Sequence, residues 1–191
     1  MTETKEKGTG CGCSGNTADL QMADTAKLRE KRVEIEFLYL DLESCDPCRG
    51  TDDSLEEALS EVSGVIGATG AVVDLKKIHV TSYEQALDLG LVRSPTIRVN
   101  GRDLALEVRE NHCSSCSEIS GTETFCRVWD YEGREYQVPP KELIVESILR
   151  EVYGSPKRDK FVANEKSLAN LKAFFNGTRT SAASCGSGVC G

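Results

Sequence analysis

A strand, a cysteine pair and a helix follow one another closely, and this succession constrains the fold more than any other feature of the chain. In residues 32–42, RVEIEFLYLDL, apolar residues alternate with glutamates before the run becomes fully apolar, which predicts a strand. In residues 51–67, apolar residues recur at helical spacing, with Thr51 as the predicted N-cap. Cys45 and Cys48 lie between these two patterns, in the loop that follows the strand.

The later patterns extend this unit into a layered α/β fold. They predict a strand at 71–80, a short helix at 82–90, a β-hairpin at 94–108 and helices at 139–154 and 164–177. Ser82 and Gln85 occupy capping-box positions, and Asn100-Gly101 is typical of a type I′ hairpin turn. Strands that alternate with helices are usually covered by them, so we expect a small mixed sheet flanked by helices.

Composition divides the chain into a domain with two tails. Residues 1–28 and 178–191 are rich in small and polar residues and are expected to be disordered. Residues 29–154 form the predicted domain, within which residues 109–138 are a cysteine-rich insertion that includes a second β-hairpin. Residues 155–177 contain an extra C-terminal amphipathic helix, which we expect to dock on the domain.

Charge and hydropathy exclude several kinds of partner. The net charge of −8 argues against nucleic acid or an anionic membrane surface as the main partner. No apolar run approaches the roughly 20 residues of a membrane helix, and the N-terminus lacks the apolar segment of a secretory signal. We therefore expect a cytoplasmic protein, where thiols stay reduced and clustered cysteines usually serve catalysis or metal binding. The nine cysteines are an odd number, so at least one cannot pair within the chain.

Cys45 and Cys48 have the spacing of a redox pair and lie where a helix begins. A helix N-terminus stabilises a thiolate, which is the form that attacks a disulfide or binds a soft metal. Pro47 fixes the turn, Asp46 disfavours a second negative charge, and Arg49 partly offsets Asp46. These residues leave three interpretations open: a redox couple, part of a metal site, or an inert pair.

The strand, the Cys45/Cys48 pair and the helix, together with Ser94-Pro95-Thr96 at the start of the hairpin, resemble the thioredoxin superfamily. The run LGLVRSPTIRVNG is similar to the helix-to-hairpin passage of glutaredoxin-like members. More narrowly, the chain resembles an uncharacterised group of prokaryotic thioredoxin-like proteins with a cysteine-rich insertion and cysteine-containing tails. The Asp-Pro dipeptide between the cysteines departs from the Gly-Pro of typical thioredoxins.

The resemblance implies a thioredoxin-like fold and a role for each residue of the pair. Pro95 is then a cis proline that faces the cysteines, and the backbone of Ser94 is available to a bound substrate strand. Cys45 attacks the disulfide of the substrate, and Cys48 resolves the mixed disulfide. This arrangement requires that Pro95 lie near Cys45 and that a visiting disulfide can reach at least one of the two sulfurs.

The insertion holds a second candidate site, formed by His112, Cys113, Cys116 and Cys126. Two cysteines at this spacing on a turn, followed by a third, can surround a tetrahedral zinc ion. Only three thiolates are present, so the fourth ligand is either His112 or a distant group. A disulfide within the insertion, a second redox pair and reduced loop thiols are the alternatives.

The tails carry four further cysteines: Cys11, Cys13, Cys185 and Cys190. A thiol on a flexible arm has a high local concentration near the folded site. The tail cysteines are therefore predicted to be accessory redox groups that relay electrons, or a soft metal ion, to Cys45 and Cys48. The alternative is that they are incidental.

Two functions follow as hypotheses from these cysteines. The first is a thiol-disulfide oxidoreductase that needs no cofactor, with a protein or small-molecule disulfide as substrate and a reductant that the sequence does not identify. The second is a soft-metal or metalloid protein that binds zinc, copper(I), mercury(II) or arsenite through thiolates, with zinc at Cys113, Cys116 and Cys126 as the implied cofactor. A third possibility is an interaction scaffold without turnover.

Overall fold

The computed structural model describes residues 31–105, 109–154 and 165–184, and the structural statements below concern these residues. The main sheet has four strands: β1 (Lys31–Tyr39), β2 (Ala71–His79), β3 (Thr96–Val99) and β4 (Arg102–Asp103). Their order is β2-β1-β3-β4, in which β1 is parallel to β2 and antiparallel to β3. The predicted α/β class with a mixed sheet is confirmed.

The central strand β1 explains how the alternation in the sequence builds the core. Val33, Ile35 and Phe37 are buried, whereas Glu34 and Glu36 are only partly covered. Side chains in a strand point alternately to opposite faces, so the apolar side chains on one face of β1 pack into the core. The strand then turns fully apolar toward its carboxyl end, where the chain leaves the sheet for the cysteine pair.

Helix α1 (Asp46–Ala68) covers the sheet and begins earlier than the sequence predicts. Its N-cap is Cys45, with Pro47 in the first turn, where the missing amide hydrogen of proline is not needed. The prediction that Thr51 is the N-cap is wrong. Thr51 lies inside the helix, and its hydroxyl donates a hydrogen bond to the carbonyl of Pro47 at 2.7 Å.

The local predictions around helix α2 (Tyr83–Asp88) and the first hairpin are confirmed. Ser82 caps α2 and accepts a hydrogen bond from the backbone N–H of Gln85. Asn100 and Gly101 both have positive φ angles, 51° and 76°, as a type I′ turn requires. The peptide bond between Ser94 and Pro95 is cis, as the resemblance implied.

The insertion is more structured than the predicted turn and hairpin. It contains β5 (Arg109–His112), α3 (Ser114–Ser120), β6 (Phe125–Tyr131) and β7 (Arg134–Tyr136). The three strands form a second sheet in the order β5-β6-β7. The segment between Cys113 and Cys116 was predicted as a turn, but it is the N-terminal end of α3, which ends at Gly121 with a left-handed φ of 67°.

Two further helices complete the described part of the chain. Helix α4 (Lys141–Tyr153) packs against α1. Helix α5 (Glu165–Ser184) continues beyond its predicted end at residue 177 and packs on α3 and α2. A side chain at Gly177 would lie 2.1 Å from the carbonyl oxygen of Ser120, so only glycine permits this close approach of α5 to the end of α3.

The buried residues form two clusters. The sheet core lies between the main sheet, α1 and α4, and includes Phe37, Leu55, Ile97, Trp129 and Ile144. The cysteine core lies at the carboxyl end of β1 and contains all five cysteines of the described residues, with Leu171, Phe174 and Phe175 of α5. The insertion and α5 therefore enclose the end of the domain where α1 begins.

Within the described ranges, no helix combines the length and the apolar character needed to cross a bilayer.

Candidate metal centre

Four cysteines from separate parts of the chain meet in the cysteine core. The sulfur atoms of Cys45, Cys113, Cys116 and Cys126 all lie within 4.8 Å of one another, and all four residues are buried. We call these atoms the four-sulfur set. Cys45 comes from the main domain, and the other three come from the insertion, so the set bridges the two.

The local folds of the two segments explain why these side chains converge. Cys45 is the N-cap of α1, and Cys113 is the N-cap of α3, which places Cys116 in the first turn of α3. Residues three apart in a helix lie on the same face, so Cys113 and Cys116 point to the same side. Cys126 reaches them from β6, which pairs with β5 and holds the backbone N–H of Cys113 against the carbonyl of Thr124 at 2.9 Å.

The separations within the set suit a tetrahedral ion with thiolate ligands. The sulfur of Cys116 lies 3.3 Å from that of Cys45 and 3.2 Å from that of Cys126. Zn–S bonds of about 2.3 Å in tetrahedral geometry place the sulfurs about 3.8 Å apart. These two separations are about half an ångström shorter than that value, a difference that small χ1 rotations of the cysteines can supply, and every other pair lies within 4.8 Å.

Hydrogen bonds among the thiols shift the pKa values of Cys113, Cys126 and Cys45 in different directions. Hydrogen bonds from Cys116, Cys126 and Cys45 lower the pKa of Cys113, so negative charge is most stable on that sulfur. The pKa of Cys126 is raised, chiefly by its interactions with Cys113 and Cys116, and the pKa of Cys45 is raised by the same two neighbours. Thiolates are the metal-binding form, so a metal ion must displace the protons that Cys126 and Cys45 retain.

Cys48 lies beside the four-sulfur set but is not a member of it. Its sulfur is 3.5 Å from the hydroxyl oxygen of Ser94, and that hydroxyl also accepts a hydrogen bond from the backbone N–H of Leu40. The hydrogen bond with Cys45, together with burial, raises the pKa of Cys48 well above its ordinary value. Cys48 is thus a protonated thiol that has Cys45 as a neighbour.

The backbone of Ser94 is engaged by the protein itself. Its carbonyl accepts a hydrogen bond of 3.0 Å from the backbone N–H of Arg127 in β6. The resemblance implied that the backbone next to the cis Pro95 receives a substrate strand. In the structure, a strand of the insertion lies against it and brings Cys126 toward Cys45.

Solvent reaches these sulfurs poorly. Cys45 and Cys48 are both 0% exposed, and among the insertion cysteines only Cys113 and Cys126 retain a small exposure, 5% and 4%. The requirement that a visiting disulfide reach Cys45 or Cys48 is therefore not met in this conformation. A polar cavity of about 100 Å³ adjoins the site and is lined by Pro47, Cys113 and Cys126, among others.

His112 was one of the two alternatives for the fourth ligand, and the structure brings a distant cysteine instead. The Nε2 atom of His112 lies 3.3 Å from the hydroxyl of Ser117, and the ring of His112 packs edge-on against Phe125. The fourth sulfur of the set belongs to Cys45. Cys11, Cys13, Cys185 and Cys190, the predicted accessory cysteines, lie outside the described residues.

Two ion pairs that sequence reasoning missed attach the insertion to the domain. Arg127, fully buried, pairs with Asp103 at 2.7 Å, donates to the hydroxyl of Thr96 and stacks over Trp129. Arg93, beside the cis peptide, pairs with Glu110 of β5 at 2.7 Å. Their only sequence signal is two arginines in otherwise apolar surroundings.

Comparison with known proteins adds a family but no reaction. No curated protein and no solved structure matches the chain significantly. A family model described as "Domain of unknown function (DUF2703)" matches residues 33–148, a segment that includes all five described cysteines. Because this segment is more than half of the chain, the protein belongs to the DUF2703 family.

Proposed function

We propose that the protein binds a soft metal ion, zinc in the first instance, through Cys45, Cys113, Cys116 and Cys126. The observation that carries this proposal is the four-sulfur set itself: four buried thiols from two parts of the chain within 4.8 Å of one another. Buried polar groups generally have a partner, and four clustered thiols gain their strongest partner in a thiophilic cation. The geometry favours this function over thiol-disulfide exchange, which was the first of the two sequence hypotheses.

The ligand set also indicates what kind of site it is. Four protein thiolates complete a tetrahedron and leave no position for water or a substrate, which is typical of structural rather than catalytic zinc. Cys45 connects α1 to the insertion through the ion, and the other three thiolates organise α3 and β6 around it. Copper(I) and mercury(II) are thiophilic alternatives for the same donors.

Metal analysis tests the proposal directly. Protein purified under reducing, anaerobic conditions is expected to contain about one zinc ion per chain, measured by elemental analysis against protein concentration. Each of the changes Cys45→Ser, Cys113→Ser, Cys116→Ser and Cys126→Ser is expected to abolish stoichiometric binding, because serine is a poor ligand for a soft ion.

Two variants serve as matched controls. Cys48→Ser removes a buried cysteine outside the set, and His112→Gln removes a histidine that is not among the four proposed ligands. Both are expected to keep zinc at the wild-type level. A wild-type protein without metal, or a Cys45→Ser protein that binds as much zinc as wild type, contradicts the proposal.

Thiol-disulfide exchange is a second candidate, favoured by one specific observation. The hydroxyl of Ser94, next to the cis Pro95, lies against the sulfur of Cys48, so a cis-proline loop adjoins the Cys45/Cys48 pair as in the thioredoxin superfamily. In this function Cys45 attacks a protein or small-molecule disulfide, Cys48 resolves it, and a reductant of the cytoplasm restores the thiols. Because both sulfurs are buried, the insertion must move away before a large substrate can bind.

Reduction of insulin by dithiothreitol tests this second candidate. If it is correct, the protein accelerates the reaction, and Cys45→Ser removes the acceleration. Zinc is expected to inhibit, since it occupies Cys45. An acceleration that Cys45→Ser leaves at the wild-type rate contradicts the exchange function.

A further inference from the structure

We propose that β2 is the surface through which two copies of this chain associate. In the dimer, β2 of one copy pairs antiparallel with β2 of the second copy, in a register centred on Leu75. The pairing joins two four-stranded sheets into one continuous sheet. Because the contact lies on the main sheet, it does not depend on the metal site proposed above.

Strand β2 lies at an edge of the main sheet. Among the described strands it pairs with β1 alone, whereas β1 lies between β2 and β3. The outer side of an edge strand presents backbone N–H and C=O groups that can pair with a strand of another molecule. With nine residues, β2 is the longest edge strand of the described part of the chain, since β4, β5 and β7 have two, four and three residues.

The two faces of β2 have different surroundings. Lys77 pairs with Asp52 and Glu56 of α1, so the face that carries Lys77 is the one that α1 covers. Side chains alternate between the faces of a strand. The face turned away from α1 therefore carries four alternate residues, of which the first is 43% exposed: Val72, Asp74, Lys76 and Ile78.

A two-fold axis restricts how β2 can pair with a copy of itself. An axis perpendicular to the sheet passes through one central residue, and residues equally far before and after that centre then lie opposite one another. When the centre is Leu75, Asp74 of each copy lies opposite Lys76 of the other. In the same register, Val72 of each copy lies opposite Ile78 of the other. Opposite charges and apolar pairs in these positions stabilise a sheet.

The neighbouring registers lack this complementarity. A centre at Asp74 places two aspartates against each other, and a centre at Lys76 places two lysines against each other, and like charges directly opposite are destabilising. A centre at Val73 leaves Asp74 opposite an apolar side chain, and a centre at Lys77 does the same to Lys76. The order of charges along β2 therefore selects Leu75 as the centre.

The charges on β1 extend the complementarity across the junction. Arg32 pairs with Asp74 at 3.4 Å, and Glu34 pairs with Lys76, all four side chains being between 36% and 64% exposed. When Asp74 of one copy meets Lys76 of the other, these pairs become one network of alternating sign. Edge strands often carry like charges, lysine above all, that keep them apart. β2 instead carries both signs, and a network of charges contributes more than isolated exposed pairs.

Sedimentation velocity of the full-length protein tests the association. Reducing agent is present throughout, so that disulfides between cysteines of two copies do not contribute, and each run is repeated with a chelator to remove ions that could bridge the copies. The sedimenting species is expected to approach twice the chain mass as concentration rises, with and without chelator. A chain that stays monomeric up to its solubility limit overturns the proposal, as does a dimer that the chelator dissociates.

Charge changes at the two opposed positions test the register. Asp74→Lys and Lys76→Asp each convert two attractive pairs into two repulsive ones, so each is expected to weaken association by about 10- to 100-fold. An equimolar mixture of these two variants is expected to recover association, because one chain then presents two lysines and the other two aspartates. The control Lys141→Asp makes the same change of charge on α4 and is expected to leave association unchanged.

The outcome of these variants is decisive once their folding has been checked by urea unfolding. Single variants that associate as tightly as wild type overturn the register, and so does a mixture of folded variants that associates no better than either one alone. The double variant Asp74→Lys/Lys76→Asp restores opposite charges in exchanged order. It is expected to associate more tightly than either single variant, and a failure to do so also overturns the register.

Amide hydrogen exchange locates the contact without any substitution. Amides of β2 are expected to exchange more slowly as the protein concentration rises, whereas those of β7, an edge of the second sheet, are expected to stay unchanged. Slowing in β7 or α5 but not in β2 places the contact elsewhere. Slow exchange of the outward amides of β2 in the monomer shows that another segment of the same chain covers this edge. Either result overturns the proposal.

Discussion

The sheet core and the cysteine core are similar in burial but differ in what stabilises them. The sheet core buries aliphatic and aromatic side chains such as Phe37, Ile97 and Ile144 between a sheet and two helices. The cysteine core buries five thiols under a short helix, a small sheet and α5. Apolar surface is stabilised whenever it leaves water, whereas clustered thiols are stabilised fully only when they hold a cation or form a disulfide.

The two ends of the molecule should therefore respond to different conditions. The sheet core is held by packing, so we expect its stability to be independent of metal and of redox state. The cysteine core is proposed to depend on the occupancy of the four-sulfur set. The buried pairs Arg127–Asp103 and Arg93–Glu110 help to join the insertion to the main domain.

The largest effect is expected from a cavity in the sheet core. Phe37→Ala removes a fully buried ring from the central strand and is expected to lower the free energy of unfolding by about 3–5 kcal/mol. The loss should be the same in zinc-loaded and zinc-free protein, measured by urea unfolding. A loss that depends on zinc shows that the two cores are not independent.

A somewhat smaller effect is expected at the junction of the two cores. Arg127→Met leaves Asp103 without its buried cation, and breaking a buried pair from one side typically costs about 3–5 kcal/mol. Because Asp103 retains 14% exposure of its side chain, we expect the lower end of that range. The same change displaces β6 and with it Cys126, so zinc affinity is expected to fall as well.

The double variant Arg127→Met/Asp103→Asn is the control for the charge. It removes the orphaned carboxylate but keeps an oxygen that can accept the backbone N–H of Ala105. Stability is expected to return in part, measured in the same unfolding assay. No recovery in the double variant means that the packing of Arg127 over Trp129, rather than its charge, maintains the junction.

Removal of zinc is expected to affect one core alone. A ligand present at 100 times its dissociation constant stabilises a protein by about 2.7 kcal/mol, so a chelator should remove about that much from the zinc-loaded protein. Amide hydrogen exchange is expected to accelerate in α3 and β6 and to stay unchanged in β1 and α4. Uniform acceleration in all four elements contradicts a local role for the ion.

Much of the main domain could be predicted because its determinants are local. The alternation in β1, the cap at Ser82 and the Asn100-Gly101 turn each act within a few residues, and all three are confirmed. The start of α1 was predicted too late because Cys45 and Pro47 were assigned to a loop. In the structure Cys45 is the N-cap of α1 and Pro47 lies in its first turn. A proline suits that position since it needs no partner for an amide hydrogen.

Only part of the candidate site could be predicted from the sequence, because its contacts join distant segments of the chain. The three insertion cysteines are close in sequence and were predicted as ligands, whereas Cys45 joins them only after the insertion folds over α1. The same limit hid Arg127, whose contact with Asp103 depends on how the second sheet lies against the first. Pairings between distant segments depend on tertiary packing, for which neither spacing nor periodicity gives a signal.

The smallest effect is expected on the outer surface of the sheet core, at Lys77. Its ammonium lies 2.6 Å from a carboxylate oxygen of Glu56 in α1 and lowers the pKa of that group through a hydrogen bond and charge attraction. A lowered carboxyl pKa contributes stability above the ordinary pKa of glutamate, and this contribution is lost as pH falls through the lowered value. Lys77→Met is therefore expected to return the pKa of Glu56 toward its ordinary value, measured by NMR titration, with little change in the unfolding midpoint because exposed ion pairs stabilise weakly. Zinc content should be unaffected, and a change in it would reveal a coupling from this surface to the cysteine core that the packing of the two clusters does not predict.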